Sequence, residues 1–257
     1  MSTVRAPVMA DPVQDQNPAF VHGVFSSIAR RYVLTNHVLC LGIDVLWRRR
    51  VARRVRESGA RRVLDVATGS GDLARTVRDR VPGVRVTGAD FCAPMLAEAR
   101  KRDLDDLLVA DGLALPFPDG AFDALTIGYG LRNMADRAAA LREFARVLKP
   151  GGLLAVLDFS LPRSPLLRAP YRLYLHRVLP RLAGALTGNR GAYAYLGDSI
   201  ERFPSGAAMV ALIEGSGFEK ARWEPQCGGI SSLYTARKSE VRNPNFWRRP
   251  LIDADLR

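Results

Sequence analysis

The stretch Val63-Leu64-Asp65-Val66-Ala67-Thr68-Gly69-Ser70-Gly71-Asp72 constrains this chain more than any other. An apolar run ends in a small, glycine-rich turn, and a helical pattern begins at once. Glycines at such a turn let the backbone bend sharply and approach a ligand closely. The helix start beyond it offers backbone N–H groups with no partner inside the helix. A strand, turn and helix of this kind suit a nucleotide-like cofactor.

The pattern around the turn alternates. Strands are expected at Arg62–Val66, Val84–Ala89, Leu107–Ala110, Phe122–Ile127 and Leu153–Phe159. Helices are expected at Asp72–Arg80, Pro94–Arg102 and Ala135–Leu148, the last stopped by Lys149-Pro150-Gly151-Gly152. Such alternation predicts an α/β fold: a mostly parallel sheet with helices on both faces. Before it, Phe20 to about Glu57 reads as helical, with Arg48-Arg49-Arg50 and Arg53-Arg54 on its polar side. After it come a long helix-prone insertion at about 161–203, a helix at Gly206–Glu214, and strands at Phe218–Trp223 and Ile230–Thr235. The expected organisation is a tail at 1–18, one domain at 19–237 and a basic tail at 238–257.

In a doubly wound sheet, ligands sit at the carboxyl ends of the strands. The first strand delivers Gly69, Ser70 and Gly71, with Asp65 just before them. The second delivers Asp90, followed by Phe91, at the distance where an acid commonly grips ribose hydroxyls. The third delivers Asp111 and Gly112, and the fourth Gly128. A G-x-G alone is compatible with a nicotinamide cofactor. The whole D-x-A-x-G-x-G-D string, with Asp90 and Asp111-Gly112 downstream, resembles the class I S-adenosylmethionine (SAM) methyltransferases. The resemblance implies a Rossmann-like sheet of seven strands. It also implies Asp90 on the ribose, Asp111 and Gly112 at the adenine, and Gly69, Ser70 and Gly71 near the methionine.

Gly128-Tyr129-Gly130-Leu131-Arg132-Asn133 is narrower in meaning. With Val63–Leu73, Leu115–Asp119, Arg146–Gly152, Asp158-Phe159-Ser160, Tyr193–Ile200 and Gly228-Gly229-Ile230, it resembles the ubiquinone/menaquinone biosynthesis C-methyltransferases. The resemblance runs from about Phe25 to Lys238. It implies methyl transfer to a ring carbon of a prenylated hydroquinone, by way of a phenolate. Arg132 is then expected to hold or polarise a ring oxygen and Asn133 to hydrogen-bond beside it. His176 or Tyr129 would accept the proton, and Asp158 would orient the site. Two positions depart from the family pattern: Val33 follows Tyr32 where an acid is usual, and Cys227 replaces a usual Thr.

The 257-residue chain is 47% hydrophobic and carries a formal charge of +12. Nucleic acid, an anionic membrane surface or a compositional bias toward Arg would each account for that excess. No nucleic-acid-binding module or pattern of stacking aromatics is evident, which argues against the first. In Leu166–Leu186, apolar residues interleave with Arg168, Arg172, Arg177 and Arg181, and Pro170 and Pro180 are expected to break the segment into short helices. This insertion reads as a lid with a basic, amphipathic rim that touches anionic lipid. Cys40, Cys92 and Cys227 lie far apart, so neither a disulfide nor a metal site is expected. No signal peptide is visible, so the expected location is cytoplasmic, peripheral on the inner membrane face. A homodimer is left open. Two other functions stay open as well: methylation of a phenolic or quinone specialised metabolite, and SAM or nucleic-acid binding without catalysis.

Overall fold

The computed structural model describes residue 23 and residues 42–104, 106–187 and 190–240. The expected helix before Asp44, the Tyr32-Val33 departure and Cys40 lie outside these residues.

Seven strands form one sheet: β1 (Arg62–Val66), β2 (Arg85–Asp90), β3 (Leu107–Val109), β4 (Phe122–Gly128), β5 (Leu148–Phe159), β6 (Phe218–Gln226) and β7 (Ser231–Lys238). Their order is β3-β2-β1-β4-β5-β7-β6. β1 to β5 pair in parallel, and β7 runs antiparallel to both β5 and β6. The chain winds outward from β1 to β3, then returns to β4 on the other side. The switch point therefore lies between β1 and β4, where a crevice opens at the strand ends.

The helices are α1 (Asp44–Glu57), α2 (Asp72–Arg80), α3 (Ala93–Arg100), α4 (Arg137–Val147), α5 (Pro165–Leu173), α6 (Leu179–Thr187), α7 (Arg190–Arg202) and α8 (Ala207–Glu214). Side chains along a strand alternate between its faces, and both faces here are buried. Val63, Leu153, Ala155 and Leu157 pack with Trp47, Val51, Val55, Leu73 and Val77 of α1 and α2. Leu64, Val66, Leu154 and Val156 pack on the opposite side with Leu141, Phe144, Met209 and Ile213 of α4 and α8. This two-sided burial explains why the central strands read as unbroken apolar runs.

Two expectations fail in informative ways. Lys149 to Gly152 do not lie outside the fifth strand: β5 begins at Leu148, which pairs with Phe122. The register then shifts between Phe122 and Ala124, and Gly151 takes φ 71°. The turn-forming letters thus make an irregularity inside a strand. Pro170 does not end a helix either. α5 runs through it, and the helix continues as a π turn at Tyr174–Val178 and then α6. Pro180 falls at the second residue of α6, where the wide turn changes back to α geometry, so its missing N–H coincides with that change.

Candidate active site

A cavity of about 220 Å³ opens at the carboxyl ends of β1, β2 and β4. Its floor is the turn after β1. Ala67 and Gly69 take positive φ, 51° and 57°, and Gly71 starts α2 at φ 79°. Ala67 is the costly one, because a side chain rarely adopts this region. Its Cβ sits where a Cβ on Gly130 would approach to 2.5 Å, so the β1 and β4 turns are fitted against each other.

Asp65 is buried beneath the turn. It accepts hydrogen bonds from Thr68 Oγ1 at 2.7 Å and Thr126 Oγ1 at 2.6 Å, tying β1 to its own loop and to β4. Burial raises its pKa to about 6, against the pull of those two hydroxyls. Asp90 ends β2 and is also buried. One carboxylate oxygen accepts from the Gly69 N–H at 2.7 Å and the other from the Cys92 N–H at 2.8 Å. Each carboxylate oxygen has a second lone pair, so the locked group can still accept hydroxyl donors. Asp111 lies at the cavity wall and accepts from the Leu113 N–H at 2.9 Å.

Asp65, Gly69, Ser70, Asp90, Phe91, Asp111, Gly112, Gly128, Tyr129 and Asn133 all line this cavity. Gly71 does not. Its role is the bend itself, and a Cβ there would meet Leu104 Cδ1 at 2.2 Å. Ser70 donates to Asp72 at 2.7 Å at the start of α2.

Arg132, Asp158 and His176 stand off the cavity lining. Arg132 is buried and pairs with Asp158, Nη1 to Oδ1 at 2.6 Å. Its guanidinium also donates to the Tyr129 carbonyl and lies over the Phe159 ring at 5.5 Å. Burial pushes the Asp158 carboxyl up, while Arg132 draws it back toward the charged form. The pair therefore sits under the β4 turn and holds it, at the position where a substrate contact was expected. His176 lies on the π turn and faces α7, with Nε2 3.1 Å from Glu201 Oε1 and Nδ1 3.6 Å from Asp198 Oδ1.

Tyr129 takes φ 61° and stacks on Phe159, ring centroids 4.6 Å apart. Asn133 accepts a hydrogen bond from the Tyr195 hydroxyl of α7 at 3.1 Å, so the helical insertion reaches the site through it. Phe159, Asp44 and Arg48 are lining residues that the sequence did not single out. The Arg run at 48–50 reads as a solvated face. The available signal was Asp44 at helical i,i+4 spacing from Arg48, a pairing distance on one face. Cys227 stays outside the cavity and accepts from Trp47 Nε1 at 3.4 Å, joining α1 to the loop before β7.

A family model, that of the ubiE/COQ5 methyltransferase family, matches residues 12–238. The chain belongs to this family. A Thermus thermophilus relative named demethylmenaquinone methyltransferase is 49% identical over 216 residues, spanning 82% of this chain and 98% of the relative. One of the same name from Deinococcus radiodurans is 42% identical over 243 residues, 93% and 100% of the two chains. Among solved structures, a SAM-dependent methyltransferase from Thermotoga maritima superposes with a TM-score of 0.62 at 19% identity, over 84% of this chain and 99% of that one. Human N-acetylserotonin methyltransferase in complex with SAM gives 0.53 at 19% identity, over 88% and 55%. These two establish the class I methyltransferase fold. The protein is a SAM-dependent methyltransferase.

The cavity fits that cofactor. A Cβ on Gly112 would come within 2.6 Å of Met134 Cε, and one on Gly69 or Gly128 within 3.2 or 3.1 Å of Met95 or Leu73. These glycines line the cavity and leave its backbone bare, so a ligand can approach it closely. Asp90 would hold the ribose diol. Asp111 and Gly112 would border the adenine, with Phe91, Met95 and Leu113 as apolar walls. Gly69, Ser70 and Gly128 would border the methionine part. Bound there, SAM supplies an electrophilic methyl group on a positively charged sulfur.

Proposed function

We propose that the protein methylates a ring carbon of demethylmenaquinol in menaquinone biosynthesis. The observation that carries this reading is the two-sided cavity. One side is the glycine cradle with Asp90. The other is the Tyr129–Phe159 stack, a flat aromatic wall suited to a fused ring. The curated relatives of that name, which this chain matches over nearly their whole length, support the same choice.

A ring carbon is a weak nucleophile until a neighbouring hydroxyl loses its proton. The site must therefore orient the ring and favour the anion, so that positioning and electrostatics supply most of the acceleration. Tyr129 and Phe159 orient the ring plane. Asn133, steadied by Tyr195, offers a polar group beside it. Arg132 and Asp158 act beneath this surface, fixing the Tyr129 turn.

The prenyl tail calls for access from a lipid surface. Leu166, Leu167, Leu173, Val178 and Leu182 are exposed along the continuous helix of α5, the π turn and α6, and Leu166 is 87% exposed. Arg168, Arg172, Arg177 and Arg181 lie between them. An apolar stripe flanked by Arg suits the surface of an anionic bilayer. Among the described residues no helix is long and apolar enough to cross a membrane. The proposed location is the cytoplasmic membrane face.

The test offers demethylmenaquinol, a demethylated benzoquinol and simple phenols with methyl-labelled SAM. Label should enter demethylmenaquinol at carbon. Transfer to the phenols alone, or none to a prenylated quinol, overturns the proposal. Flotation with vesicles tests the location: binding should rise with the fraction of anionic lipid and fall in a Leu166→Glu, Leu167→Glu variant.

A further inference from the structure

Methylation through a phenolate needs a positive group near the ring oxygen, and the cavity holds few candidates. Asp44, Asp65, Asp72, Asp90 and Asp111 line it, and together they oppose a second anion. Arg132, the cation nearest in sequence to the aromatic wall, is turned into its pair with Asp158 and lies off the lining. Among the described lining residues, Arg48 is the Arg or Lys that remains.

Arg48 is held for such a task. Its Nη1 lies 2.8 Å from Asp44 Oδ2, one helical turn earlier on α1, and the two side chains are only 14% and 7% exposed. A guanidinium has five N–H donors in a rigid plane, enough to grip Asp44 with one edge and a ligand oxygen with another. The next residue back, Trp47, packs edge-on against Phe159 with ring centroids 6.2 Å apart. Phe159 in turn stacks on Tyr129. α1 is thereby pinned to the aromatic wall, and Arg48 lines the same cavity as Tyr129 and Phe159. Asp44 compensates part of the Arg48 charge, and the partial exclusion of water strengthens what reaches a ligand oxygen.

We infer that Arg48, oriented by Asp44, is the residue that receives a ring oxygen of the quinol as its anion; this rests on the quinol reading above. The quinol O–H gives its proton to bulk water, and Arg48 balances the charge left on oxygen. The ortho carbon then forms the new C–C bond with its ring electron pair. The bond between the methyl group and its donor sulfur breaks, with that pair staying on sulfur. The carbon finally releases its hydrogen as a proton and the ring regains aromaticity.

The test reads acidity at the site as well as turnover. The probe is 4-methoxy-1-naphthol, a mono-ether mimic of the quinol, titrated by absorbance without oxygen while bound to the full-length enzyme with S-adenosylhomocysteine. An opposite charge at contact lowers a pKa by about one to three units. The bound probe should ionise that far below the free probe in the wild type. In Arg48→Gln it should ionise near the free value, and in Arg48→Lys in between. The kcat for demethylmenaquinol should fall at least about tenfold in Arg48→Gln and be partly restored in Arg48→Lys. If Arg48→Gln does not fold, Asp44→Asn leaves Arg48 uncompensated and should lower the bound probe's pKa further, and no change there overturns the role of Arg48. Equal ionisation of the bound probe in wild type and Gln variant, with wild-type methyl transfer intact, overturns the role of Arg48 alone. A wild type inactive on every prenylated quinol overturns the functional reading instead.

Discussion

Arg132 and Asp158 meet at 2.6 Å in the interior, one in the 3-10 turn Leu131–Asn133 after β4 and the other at the end of β5. Both are almost fully buried, and Arg132 also holds the Tyr129 carbonyl. Removing one member of such a pair leaves a buried charge uncompensated, at a cost of about 3–5 kcal/mol. Arg132→Ala should therefore lower unfolding free energy by that amount in urea melts and reduce turnover as the Tyr129 turn loosens. Turnover lost with stability unchanged would refute this positioning role.

Asp90 tests the cofactor side. Asp90→Ala removes the acceptor for the Gly69 and Cys92 N–H groups as well as the group expected on the ribose. Hydrogen bonds to a charged group contribute about 1.5–3 kcal/mol. SAM affinity measured by calorimetry should fall at least about tenfold. Asp90→Asn keeps the shape and loses the charge, and should fall between the two.

Gly130 and Ala67 make a compensating pair. Gly130→Ala would place two Cβ atoms 2.5 Å apart, neither of which can swing aside. The single variant should lose about 1–3 kcal/mol of stability and weaken SAM binding. Adding Ala67→Gly removes the opposing Cβ and relieves the residue at φ 51°. The double variant should recover most of the loss, a coupling visible in a double-mutant cycle. Additive losses would mean the two turns are not in mutual contact.

Asp65 predicts a pH effect of unusual sign. Its folded pKa of about 6 lies above the ordinary carboxyl value. The folded state then binds the proton more tightly, so stability falls as pH rises from about 4 to 6 and stays lower above that. At about 1.4 kcal/mol per unit, the decline is on the order of 3 kcal/mol. Asp65→Asn should remove that decline, so the variant should gain stability relative to the wild type as pH rises from about 4 to 6. Parallel curves would rule out a raised Asp65.

Much of the fold was legible because both sheet faces are covered, which writes each inner strand as an apolar run such as Val63-Leu64. The cofactor side was legible because strand ends and turn glycines are local features. Arg48 was not. Its neighbours Arg49 and Arg50 make it look solvated, while in the fold it pairs with buried Asp44 at the cavity. The partner of Arg132 was equally hidden, since Asp158 comes from the adjacent strand and sequence does not state register. Pro170 misled because it lies inside α5, which runs on through it and changes to the π turn only at Tyr174.

β7 runs against its neighbours, with Ser231 beside Phe159 and Arg237 beside Leu153. β7 therefore finishes at Lys238, at the end of the sheet remote from the cavity, where Lys238 Nζ donates to the Leu148 carbonyl at 2.6 Å. A fluorophore or immobilising tether joined beyond Lys238 starts away from the reacting groups.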